Sequence, residues 1–189
     1  MESKILFQQL LNLPEGWKVS EVNFVQPRGS RPQVHIRIAY DTDQGVDVAT
    51  GELCPVHDYR TERCWRHLDT MGYQTYIYCR VPRIKNSDGK IVSLPLPWAA
   101  DNERHTHAFE NYAVIVLKAT HNQTQAGNIL NCSYEKVNRV MHRAVERGME
   151  RRKLEEDEVI RIGIDEKSYK KGHNYATVIN DSEKKESLK

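Results

Sequence analysis

The chain has 189 residues, of which 39% are hydrophobic and 29% are charged, and its formal net charge is +2. This length suits one ordinary domain or two or three small units. No run of about twenty apolar residues is present, which excludes a transmembrane helix, and the N-terminus lacks the apolar core of a signal peptide. We therefore expect a cytoplasmic protein with no membrane partner. The small net charge is by itself a weak indication of nucleic-acid binding.

The first hundred residues predict a β-rich unit that begins with a helix. Apolar residues recur at helical spacing over 2–12, which predicts a short helix. Strands are expected at about 17–25 and at 34–40, and in the second of them apolar and polar residues alternate. Residues 41–60 are rich in turn formers, and we expect irregular structure there. The unit as a whole is assigned to 1–100.

A β-hairpin and a returning strand are predicted in the second half of this unit. Aromatic and β-branched residues are concentrated at 64–68 and 74–84, and a turn separates the two segments. Asn-Ser-Asp-Gly at 86–89 is typical of a tight turn, so 90–94 should return along the sheet. Nothing suggests secretion, so disulfides are not expected and the cysteines are candidates for burial or metal binding: Cys54, Cys64, Cys79 and Cys132.

The character changes to helix at about residue 106. One helix starts there, a short one is expected at 123–130, and a long one at 133–153. We assign these helices to a second unit over 101–153. The fold class is therefore α+β.

A third unit is assigned to 154–189 and begins with an acidic linker at 155–158. A buried strand is expected at 159–165 and a second strand, paired with it, at 174–180. The terminal stretch 182–189 is polar and of low complexity, so we expect it to be disordered.

A helix-turn-helix motif is indicated over 123–142. The motif needs buried apolar residues at fixed spacing, and the residues at those positions are Ala126, Leu130, Cys132, Val137 and Val140. Gly127 occupies the point where the two helices approach closely. Asn131 occupies the turn position that prefers a left-handed backbone, and Ser133 is a suitable N-cap for the second helix.

The second helix of this motif is the candidate DNA-recognition helix, which would enter the major groove. Arginine and asparagine side chains are shaped for bidentate contacts with guanine and adenine. The outward positions are Ser133, Tyr134, Asn138, Arg139 and His142. A basic stripe suited to phosphate contacts is formed by Lys136, Arg139, Arg143 and Arg147. The alternative is a helical hairpin with an ordinary solvated basic face.

Several motifs together resemble the ISL3 family of insertion-sequence transposases. The similarity runs from about residue 15 to Asp181, nearly the whole chain. The specific anchors, beside the helix-turn-helix, are WRHLD at 65–69, VPR at 81–83, PWA at 97–99 and GIDEKS at 163–168. The resemblance implies an N-terminal zinc-binding module, a helix-turn-helix and the first two strands of an RNase-H-like domain with metal-binding acids, over 154–189.

The zinc module departs from the family pattern. The family usually places Cys-x-x-Cys just before the stretch that begins at Cys54, and here those positions are Asp47 and Thr50. A second Cys/His pair usually follows the VPR motif, and here 86–89 stands in its place. Structural zinc prefers sulfur and imidazole ligands, so we do not expect zinc at these positions. The turn chemistry of 86–89 could hold the hairpin without a metal.

A rival zinc site would combine Cys54 and His57 with Cys64 and His67. Because Cys64 and His67 lie in a predicted strand, where residues three apart point to opposite faces, the site is the weaker alternative. The favoured interpretation is a buried Cys64 and a hydrogen-bonded His67.

Asp165 is the candidate catalytic acid. In the family the first of three acids lies on the first strand of the RNase-H-like sheet, and Asp165 matches that position within GIDEKS. Such a carboxylate would bind Mg²⁺ in a two-metal site of a full-length relative. The alternative is a strand-terminal acid that caps a turn. The family's second and third acids match no position here, so we expect a truncated transposase that neither cuts nor joins DNA alone and needs no cofactor.

Three functions remain open at this point. The first is a truncated transposase that still recognises transposon-end double-stranded DNA, with a second copy or a full-length transposase as a possible protein partner. The second is a stand-alone helix-turn-helix regulator or inhibitor of transposition. The third is a β-rich module that binds protein and has no salt-dependent DNA affinity.

Overall fold

The computed structural model describes residues 2–154, 162–170, 174–181 and 186–188. The chain divides into two compact units, Met1–Met141 and His142–Lys189. Helices and a mixed sheet are both present, so the α+β class is confirmed. The boundaries at 100 and 153, which were expected from composition, stay predictions.

A six-stranded sheet forms the N-terminal part of the first unit. The helix and strands are α1 (Glu2–Leu11), β1 (Trp17–Val25), β2 (Gln33–Tyr40), β3 (Gln44–Val46), β4 (Leu53–Arg66), β5 (Gln74–Lys85) and β6 (Ile91–Ser93). The strand order is β1-β2-β5-β4-β3, and β6 pairs with β5 outside this path. Neighbouring strands run antiparallel except for β2 and β5, which are parallel.

The core of this sheet lies on one face. Strands β2 and β5 alternate buried and half-buried residues over most of their length, as expected for a sheet with one covered face. Three tryptophans complete the core with edge-to-face contacts: the ring centroids of Trp17 and Trp98 are 5.0 Å apart, and those of Trp65 and Trp98 are 5.9 Å apart. Its central aliphatic residues are Val34, Ile36, Ile38, Ile77 and Val81.

Strand β4 contradicts the expectation of irregular structure over 41–60. It begins at Leu53 and continues for 14 residues, and β3 also lies in that range. The register of β4 against β5 shifts between Val56 and Asp58 and again between Tyr59 and Glu62. Each bulge interrupts the two-residue period of a strand, which is why the sequence pattern did not show one.

The other strand predictions hold with small changes. Strand β1 has the predicted bounds, and β2 and β5 each gain one residue at an end. Strand β4 ends at Arg66, so His67 lies outside the strand to which it was assigned. The returning strand is shorter than predicted, Ile91–Ser93, and pairs with β5 as expected.

Three helices follow, α2 (His107–Thr120), α3 (Gln123–Leu130) and α4 (Tyr134–Leu154). All three were predicted, α3 with the same bounds. The boundary between the two units falls within α4, so its first eight residues belong to the first unit and the remainder to the second.

The second unit also contains a three-stranded antiparallel sheet, β7 (Ile162–Lys170), β8 (Asn174–Asp181) and β9 (Glu186–Leu188). The predicted pairing of the first two strands is confirmed. The expectation of disorder over 182–189 is wrong for 186–188, which pair with β8; the other residues of that tail lie outside the described ranges. Residues 171–173 and 159–161 also lie outside them.

Candidate nucleic-acid interface

Polar side chains cap the helices in the helical part of the first unit. Thr106 caps α2, and its hydroxyl oxygen accepts a hydrogen bond from the Phe109 backbone N–H at 3.2 Å. The helix ends at Thr120, and its C-cap residue, His121, has a left-handed φ of 50°. Asn122 then caps α3 by accepting from the Gln125 backbone N–H at 2.9 Å. Side-chain caps satisfy the N–H groups that a helix start leaves without partners. These caps therefore favour two separate helices, α2 and α3, that follow each other closely in the sequence.

A small apolar core holds α2, α3 and α4 together. Four of the five residues predicted to be buried in the helix-turn-helix are buried. The fifth, Cys132, is half-buried, packs against the same core and has a thiol pKa raised by burial. Helix α2 also contributes buried residues to this core. The buried members are Phe109, Ala113, Val116, Ala126, Leu130, Val137 and Val140.

The turn between α3 and α4 has the predicted backbone. Asn131 adopts φ 50° and ψ 50°, the left-handed conformation. The Cys132 backbone N–H donates to the Gly127 carbonyl at 3.0 Å. A Cβ atom at Gly127 would lie 3.6 Å from Cγ2 of Val137, so the close approach predicted there is confirmed.

Ser133 precedes the first residue of α4. Its carbonyl accepts from the Val137 backbone N–H at 3.2 Å, which makes it the N-cap by position. Its hydroxyl bonds to the Glu135 carboxylate, and this hydrogen bond is the largest cause of the lowered pKa of Glu135. The hydroxyl is therefore engaged locally at the start of the helix.

The first turns of α4 present most of the predicted DNA-contacting residues to solvent. Ser133, Lys136 and Arg139 are exposed, and so is Tyr134 at 52%, while Asn138 is half-buried. Val137 and Val140 turn inward between them. One face of this helix segment is thus fixed in the core while the opposite face carries polar and basic side chains.

The remaining three predicted residues lie on α4 within the second unit. His142 and Arg147 are exposed, and Arg143 is half-buried. On one helix, residues three or four apart share a face, so the backbone of α4 continues the spacing of Lys136 and Arg139 to Arg143 and Arg147.

Asp165 lies in β7, opposite Val178 of β8. It was expected at the end of a buried strand, but β7 continues to Lys170, so Asp165 is internal to the strand. The neighbouring Ile164 is 70% exposed, which also contradicts the expected burial: within the described residues the sheet has three strands, and this side chain faces outward.

The rival zinc site does not assemble. Cys54, His57 and Cys64 lie on the single strand β4, and Cys54 is separated from Cys64 by ten residues, roughly 33 Å in an extended strand. Cys64 is half-buried rather than buried. These side chains are too far apart to bind one ion together.

His67 is hydrogen-bonded, as the favoured interpretation predicted. Its Nδ1 lies 2.9 Å from the Thr106 hydroxyl oxygen. The same hydroxyl oxygen accepts from the Phe109 backbone N–H, so Thr106 connects His67 to the start of α2. Burial, with a smaller contribution from the neighbouring Arg66 charge, lowers the pKa of His67 to about 4.

A buried polar cluster before and within α2 was missed by sequence reasoning. Glu103, His105 and Glu110 have side-chain ligand atoms within 4.8 Å of one another, and the last two are buried. The His105 ring stacks on Phe109 at 5.1 Å, and the Arg66 guanidinium lies over the same phenyl ring at 5.4 Å. Charged residues are rarely buried unless paired, and their spacing in the sequence gave no sign of this cluster.

Among the helices of the described ranges, none combines the length and apolar character needed to cross a membrane.

Comparison with known proteins identifies the helical region. Residues 94–145 match the model of the helix-turn-helix domain of transposase family ISL3. Over 119 residues, 63% of this chain, the sequence is 30% identical to the transposase for insertion sequence element IS1557 of Mycobacterium tuberculosis, in strain CDC 1551 / Oshkosh and in strain ATCC 25618 / H37Rv.

The aligned part is 26% of those relatives, so the chain spans about a quarter of the length of the curated relatives that it matches. No solved structure matches the chain. The helix-turn-helix match, the capped α2–α3–α4 arrangement and the similarity to the IS1557 transposase agree with one another: the helical region is similar to the helix-turn-helix domain of ISL3 transposases.

Proposed function

We propose that the chain recognises the terminal DNA of an insertion sequence and that the first turns of α4 contact the major groove. The observation that carries the proposal is the two-sided character of this segment. Val137 and Val140 are 1% exposed in the core, while Lys136 and Arg139 face solvent. A helix fixed in this way can present side chains to base edges at a constant orientation.

The chemistry of the exposed side chains supports double-stranded DNA as the partner. Arg139 can contact guanine O6 and N7 with two hydrogen bonds, and Asn138 can do the same at adenine. Lys136 supplies a phosphate contact. Ser133 and Tyr134 have hydroxyl groups near the helix start, where backbone N–H groups favour a phosphate. We also propose that His142, Arg143 and Arg147, on the part of α4 that belongs to the second unit, contact DNA. We propose a cytoplasmic location for the protein.

The test is the affinity of the full chain for duplex DNA, measured by fluorescence anisotropy. One duplex comes from each terminus of the encoding element, and a shuffled duplex has the same composition. We expect the terminal duplexes to bind more tightly, and we expect affinity to fall about tenfold or more between roughly 50 and 200 mM salt. Equal affinity for both duplexes would rule out end recognition, and an affinity independent of salt would rule out phosphate contacts.

We also propose that Asp165 descends from the first metal-binding acid of an RNase-H-like domain. The support is its place in the GIDEKS motif and in the first strand of a sheet that pairs antiparallel with the next strand along the chain. In a full-length relative the carboxylate would bind Mg²⁺. These 189 residues supply one such matched acid, so we propose that this polypeptide binds DNA without cutting or joining it.

A further inference from the structure

Two turns in the β-rich part of the molecule are joined by a side-chain hydrogen bond. Asp47 follows β3, and Asn86 follows β5. The Asn86 amide Nδ2 donates to Asp47 Oδ2 at 3.2 Å. Asp47 is only 5% exposed and Asn86 is half-buried, so the contact is partly shielded from water. We call the pair the Asp47–Asn86 clasp.

The Asp47 side of the clasp closes its own turn. The second carboxylate oxygen, Oδ1, accepts from the Ala49 backbone N–H at 2.9 Å. The Asp47 carbonyl accepts from the Gly51 N–H at 2.7 Å, and its N–H donates to the Glu52 carbonyl at 2.9 Å. Both carboxylate oxygens and both backbone groups of Asp47 are therefore engaged.

The Asn86 side is engaged to the same degree. Its Oδ1 accepts from the Lys90 N–H at 2.8 Å. Its backbone N–H donates to the Lys90 carbonyl at 3.0 Å, and its carbonyl accepts from the Gly89 N–H at 2.9 Å. With the bond to Asp47, every polar group of Asn86 has a partner within the protein.

A small apolar core packs near these turns. Cys54, Ile84 and Leu94 are all buried and form one cluster. Gly45, paired with Cys54 across β3 and β4, leaves no spare room, because a Cβ atom there would lie 2.5 Å from Cδ1 of Leu94. The Cys54 thiol is 3.7 Å from the Glu52 carbonyl oxygen.

The turn residues do not suit the zinc ion that the family resemblance implies at Asp47, Thr50 and the 86–89 turn. They offer carboxylate, hydroxyl and amide groups, whereas a structural zinc site is built from thiolate and imidazole. The carboxylate and amide are already committed to hydrogen bonds, and the Thr50 hydroxyl accepts from the Glu52 N–H at 3.3 Å. A metal would have to break bonds that the protein already satisfies.

We propose that the Asp47–Asn86 clasp takes the structural place of the metal, so that the β-rich unit folds and remains stable without zinc. A buried carboxylate and a half-buried amide, hydrogen-bonded to each other, link the same two turns that a metal would cross-link. The unit is therefore insensitive to chelators and to oxidation of zinc-binding thiols.

The first experiment measures the zinc content and thermal unfolding of the full 189-residue chain, purified without chelator. We expect zinc well below one atom per chain and the same Tm with and without EDTA. Zinc near one atom per chain, or a fall in Tm on adding EDTA, would overturn the proposal.

The second experiment tests the clasp by exchanging its partners. Asn86→Asp places two carboxylates against each other, and we expect it to lower Tm by roughly 2–10 °C, because the buried Asp47 carboxylate loses its hydrogen-bond donor. Adding Asp47→Asn to that variant restores an amide–carboxylate pair and should recover most of the loss. Asp88→Ala is the matched control in the same turn: its carboxylate is 66% exposed and 3.7 Å from Lys90, so Tm should hardly change. Failure of the exchanged pair to recover Tm would refute the direct contact.

Discussion

A Cβ atom on Gly127 would lie 2.9 Å from the carbonyl oxygen of Cys132, closer than real Cβ atoms come to such an atom. Alanine normally stabilises a helix interior by about 1 kcal/mol relative to glycine, but here the methyl group meets backbone that cannot move away cheaply. We expect Gly127→Ala to destabilise the first unit by about 1–3 kcal/mol, measured by urea unfolding followed by circular dichroism.

Gly148 provides the matched control for that variant. It lies in α4, and nothing lies within 4 Å of its Cβ position. Gly148→Ala should therefore show the ordinary helical gain of about 0.5–1 kcal/mol. If both alanine variants gained stability, the packing of α3 against the turn would be wrong.

Arg139→Ala should weaken binding to terminal DNA and reduce discrimination between terminal and shuffled duplexes. A bidentate contact with a base contributes roughly 1–3 kcal/mol. The measurement is a pair of Kd values, one for each duplex, at one salt concentration. Lys18→Ala in β1 removes the same charge outside the helical region and should leave the ratio of the two Kd values unchanged. An unchanged ratio for Arg139→Ala would place this residue away from the bases.

Lys136→Ala should have a different signature. A lysine on phosphate contributes equally to every sequence, so affinity for both duplexes should fall by the same factor. The slope of log affinity against log salt should become shallower by about one. A change in sequence preference without a change in slope would mean that Lys136 contacts a base instead.

Acid should destabilise the first unit through His67. Its pKa is about 4 in the folded protein, below the ordinary value of 6.5, so the unfolded chain takes up the proton first. Above pH 6.5 the titration of His67 does not reduce the free energy of unfolding. That free energy falls as the pH drops from 6.5 to 4, and the full loss is reached below pH 4. It amounts to at most roughly 3 kcal/mol.

Urea unfolding at several pH values between 6.5 and 4 tests this dependence. His67→Asn keeps a polar group near the position of Nδ1 but does not titrate, so stability should depend less on pH. His121→Asn is the control: His121 is exposed and left-handed, a conformation that asparagine tolerates. Equal pH dependence of the His67 variant and the unmodified chain would assign the acid sensitivity to other groups.

The 189-residue polypeptide should not join DNA strands, even with Mg²⁺ present. Two-metal cleavage needs several carboxylates around the ions, and Asp165 is the one residue here that matches a family acid. The measurement is a gel assay for nicked and joined terminal DNA. Asp165→Asn should give the same gel and the same DNA affinity. Products that appear with the unmodified chain and vanish in the variant would show that the polypeptide is catalytic.

The sequence was most informative where local rules govern the structure. The bounds of α3, the left-handed Asn131 and the buried positions of the helix-turn-helix follow from spacing and turn chemistry within about twenty residues. Strand β4 was not predicted, because its two bulges break the alternation of buried and exposed residues on which strand prediction depends. The parallel pairing of β2 with β5 has no local signature at all.

The candidate interface was also predictable in part. The exposure of Lys136 and Arg139 follows from helical periodicity once Val137 and Val140 are placed in the core. The buried Glu110 was not foreseeable, because an acidic residue in the first turn of a helix is ordinarily exposed. The hydrogen bond from Asn86 to Asp47 was also not predictable, because asparagine and aspartate are both common in turns.

The parallel pair β2–β5 has a consequence for how the chain folds while it is being made. The hairpin of β1 and β2 is complete once Tyr40 has left the ribosome, but its inner edge waits for a strand that begins at Gln74. An open strand edge is a template for pairing with other chains, and contacts between distant segments form slowly. Nascent chains that stall between these two points would therefore be the ones most prone to aggregate.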